Sequence, residues 1–149
     1  MGPVYYRISS ENGTVTALNL SSQPGDERAD GDVPVEVRQQ IDEFLAGLRK
    51  TFSFPFDYDE TRFAGKVFSE VRSIPYGETL TYADVAERLG NRKKARAVGN
   101  ALSKNRLLII IPCHRVIRTD GSIGGYSAGA CIKQKLLAME SGCPYDGQL

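Results

Sequence analysis

"TYADVAERLGNRKKARAVGNALSKN", residues 81–105, decides how the second half of this chain folds. Thr81, followed three positions later by Asp84, has the form of a capping box, in which hydroxyl and carboxylate each satisfy a backbone group left over at a helix start. Val85, Ala86 and Leu89 then recur at helical spacing, and Gly90 suits the left-handed position that ends a helix. Asn91 can cap a second helix at once, with Ala95, Val98 and Leu102 on its inner face. Two short helices joined by Gly-Asn predict a helix-turn-helix. The second opens with Arg92, Lys93, Lys94 and Arg96, a cluster suited to phosphate contacts. The plainer reading is a solvated basic turn. Gly99 in mid-helix costs about 1 kcal/mol against Ala, so its presence predicts the close approach of another backbone.

Upstream, Phe63, Val67, Val71 and Ile74 form one apolar helical stripe, closed by "IPYGE". Further back, "VYYRISSENGTVTALNL" (4–20) alternates around Asn12-Gly13 and predicts a hairpin of two strands. "SSQPGDERADGDVP" (21–34) reads as a mobile connection. "PVEVRQQIDEFLAGLRK" (34–50) places Val37, Ile41, Phe44, Leu45 and Leu48 on one helical face, and "TFSFPFDYDE" (51–60) predicts a third strand. Downstream, "RTDGSIGGYS" (118–127) is a turn, and "AGACIKQKLLAMESG" (128–142) a last helix with Ile132, Leu136 and Met139 inward. The expected class is α/β. A small sheet-plus-helix domain over residues 1–58 precedes a mostly helical domain over 59–149 that holds the helix-turn-helix.

The composition, 41% hydrophobic and 25% charged over 149 residues, is that of a globular chain with one ordinary core. The net charge of +1 conceals a split: residues 1–60 carry five basic and eleven acidic side chains, residues 61–149 fourteen and seven. A basic second half suits a polyanionic partner. No apolar run has the length of a membrane span, and "MGPVYYRISS" lacks a signal-peptide core, so the expectation is an intracellular protein without membrane contact. Three cysteines, Cys113, Cys131 and Cys143, are too few and irregular for a disulfide framework. One histidine and no Cys-x-x-Cys pair predict no metal site.

"IIIPCHRVI" (109–117) places Cys113 beside the only histidine, His114, after an apolar run and a proline. In extended chain, neighbouring side chains point to opposite faces. Either a turn after Pro112 brings the pair together, or a water bridges them, or Cys113 is a buried structural thiol and the adjacency means nothing. A thiol with a reference pKa near 8.5 needs a base or a positive field to become a nucleophile. His114, Arg115 and the cationic helix could supply both.

"IPCHRVI" together with "YADVAERLGNRKKARAVGNAL" and the Gly-Gly-Tyr-Ser turn resembles the O6-alkylguanine-DNA alkyltransferase (methylated-DNA–protein-cysteine methyltransferase) family, in order and in spacing, from about Phe63 to Gly142. The resemblance implies a ribonuclease-H-like N-terminal domain and a single-turnover DNA repair reaction without a cofactor. The alkyl group of O6-alkylguanine, and less well O4-alkylthymine, would pass from duplex DNA irreversibly to Cys113. His114 would deprotonate the thiol through a water, Glu140 would orient His114, and Asn105 would tie the active-site turn to the helix-turn-helix. Tyr82 would rotate the target phosphate and help to protonate the departing guanine. Arg96 would fill the gap left by the flipped nucleotide, with Arg92, Lys93, Lys94, Ala95, Gly99 and Arg115 also at the DNA. Leu102, Leu108, Tyr126 and Ser127 would wall the guanine pocket. The implied partner is double-stranded DNA, met in the minor groove by a monomer. The implied location is the cytoplasm, at the nucleoid, or the nucleus in a eukaryote.

The chain departs from the family pattern at "NRLLIII", where Arg106 and Leu108 replace prolines, and at "TRFAG", where Thr-Pro-Phe-Gln is usual. Its N-terminal part offers no Cys or His for the zinc that some members hold. Two other classes fit parts of the sequence: a lesion-binding protein without transfer, which Cys113 argues against, and a helix-turn-helix regulator, which needs neither Cys113 nor Glu140.

Overall fold

The computed structural model describes residues 3–25 and 33–142. The expected connection falls mainly on 26–32, which lie outside the described residues, as does Cys143. Strands β1 (Tyr5–Glu11) and β2 (Thr14–Ser21) pair antiparallel around Asn12-Gly13. Both turn residues have positive φ, 52° and 81°, as a two-residue turn between twisted strands requires. A register shift between Ser9 and Ser10 interrupts the alternation, and β2 buries Val15, Ala17, Leu18 and Leu20, with Ile8 from β1.

The expected third strand is not formed. Residues 51–60 meet β2 at one bridge, where Val15 N–H donates to Pro55 O (3.0 Å) and Asp57 N–H to Val15 O (3.1 Å). Pro55 has no N–H to extend a ladder. Ring packing holds the segment instead, Phe44 on Phe52 at 5.2 Å and Phe52 on Phe54 at 5.3 Å. Buried Gln40 adds a polar tie, donating to Ser53 Oγ and accepting from Ser53 N–H.

Helix α1 (Val35–Leu45) buries Val37, Ile41 and Phe44. It stops at Ala46, where Gly47 turns left-handed (φ 78°), so Leu48 leaves the predicted face and is 79% exposed. Helix α2 (Phe63–Val71) buries Val67 and Val71, with Ile74 just beyond. Phe63, predicted on that stripe, is 39% exposed, because it begins the helix and has no preceding turn beneath it. A Cβ on Gly65 would run into the Asp59 carbonyl, so the chain entering α2 can pass this close only over glycine.

Helices α3 (Tyr82–Arg88) and α4 (Ala95–Leu102) follow strand β3 (Leu80–Thr81), which pairs parallel with β4 (Val116–Ile117). Helix α5 (Ala130–Ser141) closes the described chain, burying Ile132 and Leu136. Met139, expected on its inner stripe, is only half-buried; the stripe includes Lys133 and Glu140 instead. Leu18 bonds both ways to the segment after α4, donating to Arg106 O (2.7 Å) and accepting from Leu108 N–H (3.1 Å). One hydrophobic cluster therefore runs without a break from Ile8 to Leu136. No helix among the described residues is long and apolar enough to cross a membrane.

Candidate active site

The capping box closes α3 as the spacing predicts: Asp84 N–H donates to Thr81 Oγ1 (3.0 Å), and Thr81 N–H to Asp84 Oδ2 (3.1 Å). Asn91 Oδ1 accepts from Lys93 N–H (3.0 Å), capping a 3-10 turn (Arg92–Lys94) that runs into α4. Of the four cations, Arg92 is compensated by the protein, 3.3 Å from Asp84 and 3.0 Å from Glu87. Lys93, Lys94 and Arg96 are exposed. A Cβ on Gly99 would meet nothing nearer than the Tyr82 ring at 3.8 Å. The backbone approach expected there is not made by the described residues, and the space belongs to a cleft.

That cleft, of about 960 Å³, is bounded by Tyr82, Ala95, Arg96, Gly99 and Leu102 on one side and by Arg118, Tyr126 and Ser127 on the other, with Cys113 also on its wall. Leu108, expected in the wall, is absent from it. Its backbone is bound to Leu18, and its side chain is only 2% exposed, inside the core. Gly124 (φ 76°) lets the far loop fold over Tyr82: a Cβ there would lie 2.9 Å from the Tyr82 hydroxyl.

A tight turn sets the thiol. Asn105, buried after α4, accepts from Leu107 N–H (2.8 Å) and donates through Nδ2 to Ile111 O (3.0 Å) and to Cys113 Sγ (3.2 Å). Ile111 N–H closes back on Leu107 O (2.9 Å). Between them Ile109 adopts φ 62°, a strained state for a β-branched residue. After Pro112 the chain turns as a 3-10 helix (Cys113–Arg115), so the extended alternation that would separate Cys113 from His114 does not apply.

Burial pushes the Cys113 thiol up to about 11, although the Asn105 bond and the charge of Lys133 act against it. At neutral pH such a thiol is almost entirely protonated. His114 is fully buried, its Nε2 2.6 Å from Glu140 Oε2. Burial favours the neutral ring and moves its pKa below the usual histidine value, against the opposing pull of Glu140. Burial would raise Glu140, but hydrogen bonds from His114 and Arg115 bring it down to about 2. An ionised carboxylate only accepts, so the bond to Glu140 requires an N–H on His114 Nε2. Among the described residues His114 Nδ1 has no hydrogen-bond partner, and the Tyr126 ring stands edge-on 6.5 Å away.

Arg115, expected at the DNA, is instead buried. Its Nε and Nη2 donate to Glu140 Oε1 (2.7 Å) and Oε2 (3.0 Å), and Nη1 donates to Ile74 O (2.9 Å). A guanidinium satisfied on three sides inside the protein is not offered to a phosphate. Sequence reasoning missed Lys133, which is fully buried and donates to Val116 O (2.7 Å) and Gly125 O (3.1 Å) beneath the Tyr82 ring. Burial pulls its pKa down to about 8. Its spacing of seven from Glu140, two turns along one helix face, was the available signal. Among the described residues no group of three or more His, Cys, Asp or Glu gathers as a metal-ligand set.

A family model described as the 6-O-methylguanine DNA methyltransferase, DNA binding domain, matches residues 62–142. A methylated-DNA–protein-cysteine methyltransferase of Metallosphaera sedula is 37% identical over 140 residues, covering 93% of this chain and 86% of the relative. One from Methanosarcina acetivorans is 42% identical over 108 residues, 72% of this chain and 69% of the relative. The crystal structure of Mycobacterium tuberculosis OGT in complex with DNA superposes with a TM-score of 0.81 at 31% identity, covering 95% of this chain and 96% of that one. A thiol on the wall of a cleft beside a two-helix unit, followed in the chain by a histidine buried against a carboxylate, thus stands in a chain whose sequence and fold match these proteins over most of its length, and the chain belongs to the 6-O-methylguanine DNA methyltransferase family.

Proposed function

We propose that this protein repairs alkylated DNA by taking the alkyl group of O6-alkylguanine onto Cys113, once per molecule. The carrying observation is that Cys113 lines a cleft also lined by the exposed Arg96, and that its neighbour in the same turn is a histidine bound to a carboxylate. A thiol so rarely ionised at rest requires a base, and His114 is the base the turn provides. The thiol proton passes to His114. The sulfur then attacks the alkyl carbon in line with the C–O6 bond, a C–S bond forms, and the guanine leaves through O6 with the electron pair. The departing base takes a proton from the Tyr82 hydroxyl, which burial keeps protonated, and His114 returns its proton to restore the balance. The product is a thioether with no group in the site to reverse it.

Duplex DNA lies against α4 in this reading, in the minor groove, with a single copy of the chain. Lys93 and Lys94 meet phosphates, and Arg96 fills the space of the flipped nucleotide. Flipping costs a few kcal/mol, least for a damaged base. Leu102, Tyr126 and Ser127 hold the extruded guanine. Residues 1–58 form the ribonuclease-H-like domain, its hairpin bracing the active-site turn through the Leu18 bonds.

The test is incubation with a methylguanine duplex followed by mass spectrometry and peptide mapping. The expected result is one methyl group, on Cys113, with Cys113→Ala unmodified yet still bound to DNA. A methyl group on Cys131 or Cys143, or none at all, would overturn the assignment.

A further inference from the structure

We propose that Arg115 is a positioning residue for the transfer: by sharing the Glu140 carboxylate with His114, it holds the imidazole uncharged, in the tautomer that leaves Nδ1 open to the thiol proton. This rests on reading His114 as the base. A carboxylate 2.6 Å from a buried imidazole would by itself draw a proton onto the ring, since an uncompensated buried charge is costly. A ring that is already protonated cannot act as a base. Arg115 removes that pull by compensating the same carboxylate through two hydrogen bonds, of 2.7 and 3.0 Å.

The guanidinium cannot easily turn away. Nη1 is anchored on Ile74 O in the turn after α2, and the group lies over the Tyr76 ring at 5.5 Å. Only the planar fork of arginine spans two carboxylate oxygens and a third acceptor at once. The charged and titratable groups around His114 are Glu140 and Lys133 from α5, Arg115 and Cys113 from its own turn, and Tyr126 from the facing loop. Two cations oppose a charge on the ring and one carboxylate favours it. Burial weighs on the neutral side, in agreement with the direction in which the ring is moved.

His114 is the only histidine in the chain, so its ring carbons and nitrogens can be followed by NMR in the labelled full-length protein without ambiguity. The native ring is expected to be neutral and protonated on Nε2 at pH 7, titrating below the ordinary value of about 6.5. In R115Q the midpoint should rise by about one unit or more, and the acid limb of the transfer rate should rise with it. In R115K, which keeps the charge, the midpoint should stay nearer the native one. A folded R115Q with an unchanged midpoint would overturn the proposal and leave Arg115 a structural role only. If R115Q does not fold, the native protein decides: a doubly protonated ring at pH 7, or a proton on Nδ1, is equally fatal. The titration needs no DNA, so a failure of methyl transfer to Cys113 would not be mistaken for a failure here.

Discussion

Asn105→Ala is the substitution whose cost can be worked most directly from the structure. It leaves the Leu107 N–H and the Ile111 carbonyl without their side-chain partner, in a turn whose residues 107–111 are all buried. The Leu107 N–H is orphaned, at about 1–3 kcal/mol, whereas the Ile111 carbonyl keeps the Cys113 N–H (2.7 Å) and loses one net hydrogen bond, about 0.5–1.5 kcal/mol, so the two together cost about 1.5–4.5 kcal/mol. The strained Ile109 sits inside the loop these bonds close. Its strain is about 1–3 kcal/mol, and a loosened turn that releases half of it reduces the net loss to about 1–3 kcal/mol. Against a total of about 5–15 kcal/mol, the variant should remain folded at room temperature with a clearly lower urea midpoint. The thiol should change too. The donated bond to Sγ is the first of the effects lowering the Cys113 pKa against burial, so its removal should move thiolate formation, followed by ultraviolet absorbance, to higher pH and slow methyl transfer. A stability loss below about 0.5 kcal/mol, the scale of an ordinary surface change, would contradict a bracing role for Asn105. So would an unshifted thiol titration, since either result would mean that Asn105 does not hold the turn.

Two further outcomes follow from the cleft. Arg96→Ala should slow repair of duplex DNA by about tenfold or more, the equivalent of about 1.4 kcal/mol, while free benzylguanine reacts at nearly the native rate; equal slowing on both would make Arg96 part of the pocket rather than a filler of the base stack. Alkylation itself should lower the melting temperature, because added methylenes in a packed site cost about 1–3 kcal/mol and Cys113 is nine-tenths buried beside Asn105. The benzyl adduct should melt below the methyl one, and coincident melting curves for unmodified, methylated and benzylated protein would show that the cleft accepts the adduct without strain.

Local patterns carried much of this protein. The Asn12-Gly13 hairpin, the Thr81–Asp84 box and the apolar periods of α1 to α4 each depend on residues within a few positions of one another, so the chain states them without help from the fold. Cys113, His114, Glu140 and Asn105 were also legible, through a motif whose order and spacing resemble a known family. Other features depended on residues far apart in the chain. Arg115 is a DNA contact by the family resemblance, but Glu140 and the Ile74 carbonyl, 25 and 41 positions away, satisfy its guanidinium inside the protein. Leu108 reads as a pocket wall until Leu18, ninety positions earlier, binds its backbone and draws it into the core. Lys133 gives no local signal of burial, yet the carbonyls of Val116 and Gly125 receive its ammonium under Tyr82. In all three cases the deciding term is the solvation of a polar or apolar group. Sequence proposes which groups want water, whereas only the packed chain determines whether a buried acceptor takes its place.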